Sequence, residues 1–145
     1  MTPLSRPFRC DVTGQPAPQG SKRHVGGGRM VEASERLPDW RTAVALQVRS
    51  EMHKVGLAGA PMHQPVAVAV IFRLKRPPSL PRKVIFHSRK PDLDKLVRAT
   101  LDALTTCGLL ADDGQVCRLS SAKRYAKPGE DTGALVMVTP AQVPL

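Results

Sequence analysis

The sequence predicts an α+β fold: a single domain over residues 1–145, with a mixed β-sheet and two main helices packed on it in the order β-β-α-β-α-β-β. Three observations lead there. Val66–Leu74 is β-branched and continuous, the pattern of a strand central in a sheet. Two segments, near 38–55 and 92–106, repeat apolar residues at steps of three and four, the period of a helix burying one face. No internal repeat divides the 145 residues, a length that suits one core without disulfide staples.

Phe8–Thr13 reads as the first strand, followed by the turn-rich run Gly14-Gln15-Pro16-Ala17-Pro18-Gln19-Gly20-Ser21-Lys22. Gly-Ser-Lys is not a phosphate-binding loop, which requires Gly-Lys-Ser/Thr opening a helix. Here the chain runs into His24 and Gly26-Gly27-Gly28, a hairpin tip from which Arg29–Ala33 returns as a short strand. Pro38 suits a first helical turn, where a missing N–H costs nothing. Leu37, Trp40, Val44, Val48, Met52 and Val55 form the buried stripe of that helix, and Gly56, Gly59 and Pro61 end it. After Val66–Leu74, three prolines in Lys75–Lys83 forbid regular pairing, so that stretch is a loop or irregular crossing. Asp92–Thr106 is the second helix, with Asp92 placed to accept first-turn amides and Gly108 at its C-terminal cap. Leu93, Leu96, Val97, Leu101 and Leu104 face the core, while Asp94, Arg98 and Asp102 share the opposite face. The turn Asp112-Asp113-Gly114 then leads into strands at 115–125 and Ala134–Thr139.

Charge narrows the function. The chain carries 22 Lys+Arg against 12 Asp+Glu, a net +10 that favours a polyanionic partner through phosphate attraction and counterion release. Its five aromatics, Phe8, Trp40, Phe72, Phe86 and Tyr125, are too few and scattered for a base-stacking platform, and most read as core. The longest apolar run, Val66–Phe72, is seven residues, too short to span a membrane, and no apolar leader opens the chain. Three widely spaced cysteines, Cys10, Cys107 and Cys117, read as free thiols of a cytoplasmic protein. They form no zinc pattern with the scattered histidines, and no serine or cysteine triad is visible.

The acids are not spread evenly. Residues 73–90 hold seven cations (Arg73, Lys75, Arg76, Arg82, Lys83, Arg89 and Lys90) and no acid, and five of the twelve acids follow within 92–113. A surface that delivers phosphates to carboxylates needs a counter-charge, which a hard divalent cation such as Mg²⁺ provides. Each piece alone also has an ordinary structural reading: Asp92 as a cap, Asp94–Arg98 as a surface pair, Asp112-Asp113-Gly114 as a turn. A helix of roughly 15 residues is about 22 Å long. For Asp112 or Asp113 to meet Asp92 and Asp94, a tertiary bend or a site partway along the helix is therefore required.

The run Lys90-Pro91-Asp92-Leu93-Asp94-Lys95-Leu96-Val97-Arg98-Ala99, with Leu101-Asp102-Ala103-Leu104 and Leu110-Ala111-Asp112-Asp113-Gly114-Gln115-Val116, closely resembles the RusA family of Holliday-junction resolvases of bacteria and phages. Gly20-Ser21-Lys22-Arg23 and the Trp40 helix extend the likeness over most of the chain. The resemblance implies a homodimeric, Mg²⁺-dependent endonuclease, with Mn²⁺ able to substitute. It would act in DNA recombination and repair by nicking a four-way junction symmetrically. Carried over by position, it places the essential carboxylates on Asp92, Asp94 and Asp113, with Asp112 as a helper, all four as metal ligands. The family lysine aligns with Arg98 and the usual asparagine with Lys95, which are two departures. Arg98 can stabilise developing negative charge but does not give up a proton, so either the lysine's role is electrostatic or Lys95 fills it. DNA contacts fall to Lys22, Arg23, Arg73, Lys75, Arg76, Arg82, Lys83, Arg89, Lys90 and Lys95. The rival readings are a non-catalytic DNA-binding protein, such as a phage regulator, and a different Asp-x-Asp metal enzyme.

Overall fold

The strand at Val66–Leu74 has neighbours on both edges, as its continuous β-branched run predicts. The computed structural model describes residues 7–18, 23–25, 29–31 and 39–141. In chain order these form β1 (Phe8–Thr13), β2 (Arg23–Val25), β3 (Arg29–Val31), α1 (Trp40–Lys54), β4 (Val66–Leu74), α2 (Leu93–Thr106), a 3-10 turn (Asp113–Gln115), β5 (Val116–Tyr125) and β6 (Gly133–Pro140). The main sheet has the order β1-β6-β4-β5. β6 runs antiparallel to both β1 and β4, whereas β4 and β5 are parallel. A parallel pair requires a long crossover, and α2 lies within the one that joins β4 to β5.

The α+β class and the mixed sheet agree with the sequence reading; the differences are local. β2 is an extra short strand, and it pairs with β3 in a separate hairpin rather than in the main sheet. Helix α1 begins at Trp40 and is capped by Asp39, whose carboxylate accepts from Thr42 N at 2.9 Å. Pro38 and Leu37 lie outside the described residues. Val55 is 52% exposed and does not continue the α1 stripe.

One face of the sheet is covered by both helices. Phe8, Cys10 and Val12 on β1, Val66, Val68, Val70 and Phe72 on β4, and Ala134, Val136 and Val138 on β6 are buried at every second position. They pack with Trp40, Val44, Val48 and Met52 of α1 and Leu96, Val97 and Leu104 of α2. Trp40 ties the two helices by donating its indole N–H to Thr100 Oγ1 at 2.9 Å, a bond that satisfies a buried polar atom. All three cysteines are free, with Cys10 and Cys107 buried. No helix among the described residues is long and apolar enough to cross a membrane.

Candidate active site

Because β5 runs parallel to β4, the cationic loop leaving β4 and the last residues of β5 gather at one end of the sheet, where α2 begins. Asp92 occupies the N-cap position of α2 in extended conformation, yet its side chain makes no capping hydrogen bond. One of its oxygens lies 3.5 Å from Lys95 Nζ. Contrary to the sequence expectation, the carboxylate does not accept the first-turn amides, and it stays available to a ligand. Asp94 follows in the first turn and is exposed. Arg98 is also exposed, one turn further on, and Asp102 is half-buried. The outward stripe of the sequence reading is thus present, backed by buried Leu96, Val97 and Ala99.

Lys123, which sequence reasoning missed, braces this helix start. It sits on β5 opposite Phe72, and its ammonium donates to the carbonyls of Arg89 and Pro91. Residue order does not single it out, because its sheet face follows from the register that sets it beside buried Phe72.

The second pair of acids lies elsewhere. Gly108, at φ +89°, ends α2 in the left-handed region that suits glycine. Leu109 and Leu110 are then buried, and the chain bonds to Met62 through Met62 N to Leu109 O at 2.9 Å and Ala111 N to Met62 O at 3.1 Å. Asp112 caps the 3-10 turn, accepting from Gly114 N at 2.9 Å, and the Gln115 side chain accepts from the Asp112 N–H at 3.0 Å. Asp113 accepts a hydrogen bond from Thr105 near the far end of α2. Thr105 is eleven residues beyond Asp94, about 16 Å along the helix axis. The structure therefore keeps Asp92 and Asp94 at the start of α2 and places Asp112 and Asp113 at the other end of the same helix. Among the described residues, no group of three or more acids, histidines or cysteines could hold a metal within one chain.

The donor set still suits a hard cation. Mg²⁺ retains waters and takes one or two carboxylates together with substrate phosphates, and Asp92 and Asp94 are two oxygen donors at the N-cap and in the first turn of α2 that make no capping bond.

The cations divide into free and committed groups. Lys75, Arg82, Lys83, Arg89, Lys90 and Lys95 are exposed. Arg73 is not: it is 5% exposed and bonded to Asp11, Val12 O and Asp131 O, so its assignment to DNA binding is corrected to a structural one. Arg76 lies over the Tyr125 ring and donates to the Val84 and Pro81 carbonyls, which pins the proline-rich loop. Lys22 lies outside the described residues, and of Arg23 only the backbone, in β2, is described. Lys75, Arg82 and Lys127 line a groove of about 500 Å³ beside that loop. Lys127 was not among the sequence candidates.

A family model for endodeoxyribonuclease RusA matches residues 12–137, from the end of β1 to within β6. The chain belongs to the RusA family. No curated protein matches it. RusA is a family of endodeoxyribonucleases, so DNA cleavage is the activity class that membership carries. In this RusA chain the departures noted above lie on α2. Arg98 stands on its exposed face, and Lys95 is drawn toward Asp92 rather than toward Arg98.

Proposed function

We propose that this RusA chain is a Mg²⁺-dependent Holliday-junction endonuclease that acts as a homodimer. The observation that carries the reading is the Asp92–Asp94 pair, which makes no capping bond at the start of α2 and lies directly downstream of a segment with seven cations and no acid. Asp92 and Asp94 would hold the metal, which when bound would polarise the scissile phosphate and lower the pKa of a bound water. The chain's own residues do the rest. Lys75, Arg82, Lys83, Arg89 and Lys90 attract and orient the phosphate backbone, and Arg98 offsets negative charge that develops at phosphorus. Lys123 holds the backbone on which Asp92 is mounted.

The distance between the two pairs of acids supports the dimer. A second copy packed antiparallel along α2 brings its Asp113 beside the first copy's Asp94, and the two-fold axis produces two such sites. A four-way junction has matching two-fold symmetry, so two opposed strands are cut alike.

The test uses purified protein with a mobile four-way junction, a linear duplex and a phosphomonoester, each with Mg²⁺ and with chelator. Paired symmetric nicks on the junction alone, and only with Mg²⁺, are the expected result. Binding without cleavage under every condition favours the regulator, and release of phosphate from the monoester favours a phosphatase.

A further inference from the structure

Phe86 is the most exposed large apolar side chain among the described residues, at 70%, and its neighbour Ile85 is 56% exposed. Their backbone is nonetheless fixed. Tyr125 N donates to Ile85 O at 2.8 Å and His87 N to Lys123 O at 3.3 Å, so Phe86 forms an antiparallel bridge with Arg124 on the free edge of β5. The His87 ring packs against Tyr125, tilted by 54° with centroids 4.8 Å apart, and Lys123 also clasps the carbonyls of Arg89 and Pro91. Phe86 therefore projects from a braced mount, six residues before Asp92.

The surroundings indicate what would cover these side chains. They sit between Lys83 and Arg89, in the segment 73–90 that carries cations and no acid. An apolar partner protein would have to tolerate that charge. A nucleic acid matches it, because its phosphates lie outside and the apolar faces of its bases lie within. Side-chain insertion is opposed in continuous duplex by the loss of a base stack, and least opposed where the stack is already interrupted.

Building on the reading of branched DNA as the substrate, we propose that Phe86 forms a wedge that enters the base stack at the branch point. Phosphate contacts from the flanking cations hold any duplex, and the wedge adds affinity only where a stack is open. It also fixes the distance between the branch and the carboxylates at Asp92 and Asp94.

The experiment measures binding in chelator, so that cleavage does not intervene, to a junction carrying 2-aminopurine at its branch point. Wild-type protein raises the fluorescence as the base unstacks. Phe86→Ala abolishes most of that rise and weakens junction binding roughly tenfold, while duplex affinity and thermal midpoint stay at wild-type values. Phe86→Trp restores the signal. The proposal is overturned if Phe86→Ala opens the junction as well as wild type does. It is also overturned if that variant turns a dimer into a monomer by sedimentation, which assigns the patch to self-association. Wild-type protein that unstacks the branch base but makes no cut once Mg²⁺ is added upholds the wedge and refutes the nuclease reading.

Discussion

Arg73 reaches from β4 across β6 and bonds Asp11 on β1 at 2.7 Å. The crossing is possible because Gly133 lies beneath it: a Cβ there would stand 2.7 Å from the guanidinium and 1.9 Å from Val12 O. Arg73→Ala leaves the Val12 and Asp131 carbonyls without their donor, and it is expected to lower stability by about 2–3 kcal/mol in urea unfolding. Asp11→Asn costs less than about 1 kcal/mol, since that carboxylate is 65% exposed and screened. Junction affinity per folded molecule stays unchanged in both, in contrast to Lys83→Ala or Lys90→Ala.

Asp94→Asn and Asp113→Asn are each expected to bind junctions without cutting them. Mixing the two variants and allowing the subunits to exchange is the sharper measurement. If each site takes Asp94 from one copy and Asp113 from the other, the mixed dimer contains one intact site and nicks one strand per junction. If each site lies within a single chain, the mixture stays inactive.

Arg98→Lys is expected to keep cleavage near the wild-type rate, because either cation can offset charge at phosphorus. Arg98→Ala lowers the cleavage rate by about 10²-fold with little change in junction affinity. Single-turnover kinetics at saturating protein separate the two effects. Wild-type rates in Arg98→Ala remove Arg98 from the mechanism and direct attention to Lys95.

Two groups contribute to the acid limb of stability. Glu130 accepts both arms of Arg124, at 2.8 and 3.0 Å, and this fork holds its carboxyl down at about 2 against an ordinary 4.5. The unfolded chain binds the extra proton in that window, so this stabilisation is complete above pH 4.5 and is lost as pH falls toward 2. His87 is lowered from 6.5 by burial first and the Lys123 charge second. Its contribution is complete above pH 6.5 and begins to fall below it. Glu130→Gln flattens the curve below pH 4.5, and His87→Phe flattens it just below pH 6.5, as thermal midpoints across pH will show.

Burial holds the Cys10 thiol up at about 11 and also raises Cys107, whereas Cys117 is exposed. A brief alkylation of native protein at pH 8 is expected to label Cys117 alone, which mass spectrometry of peptides will read out.

Much of the molecule was legible from residue order. Most of the α1 and α2 stripes and the central β4 follow from periodicity and are where that reasoning puts them, although Val55 is exposed and Asp92 does not make the cap its position suggests. Arg73, Phe86 and Lys123 were not legible. Arg73 resembles its cationic neighbours until β6 supplies a glycine beneath it, and Phe86 resembles a core aromatic until β5 holds its backbone with the ring outward. Lys123 gains its role only when the loop before Asp92 folds over it.

The distance between the acids shows the same limit most clearly. The sequence by itself determined which residues face the core and which acids gather within 92–113, because burial follows a local period along each element. It could not determine which acids meet. That was decided by strand direction: β5 runs parallel to β4, so the chain must travel the whole length of α2 before β5 can start. Asp113 is thereby left at the end of the helix opposite Asp94. A local period contains no information about the direction of a strand chosen by long-range pairing.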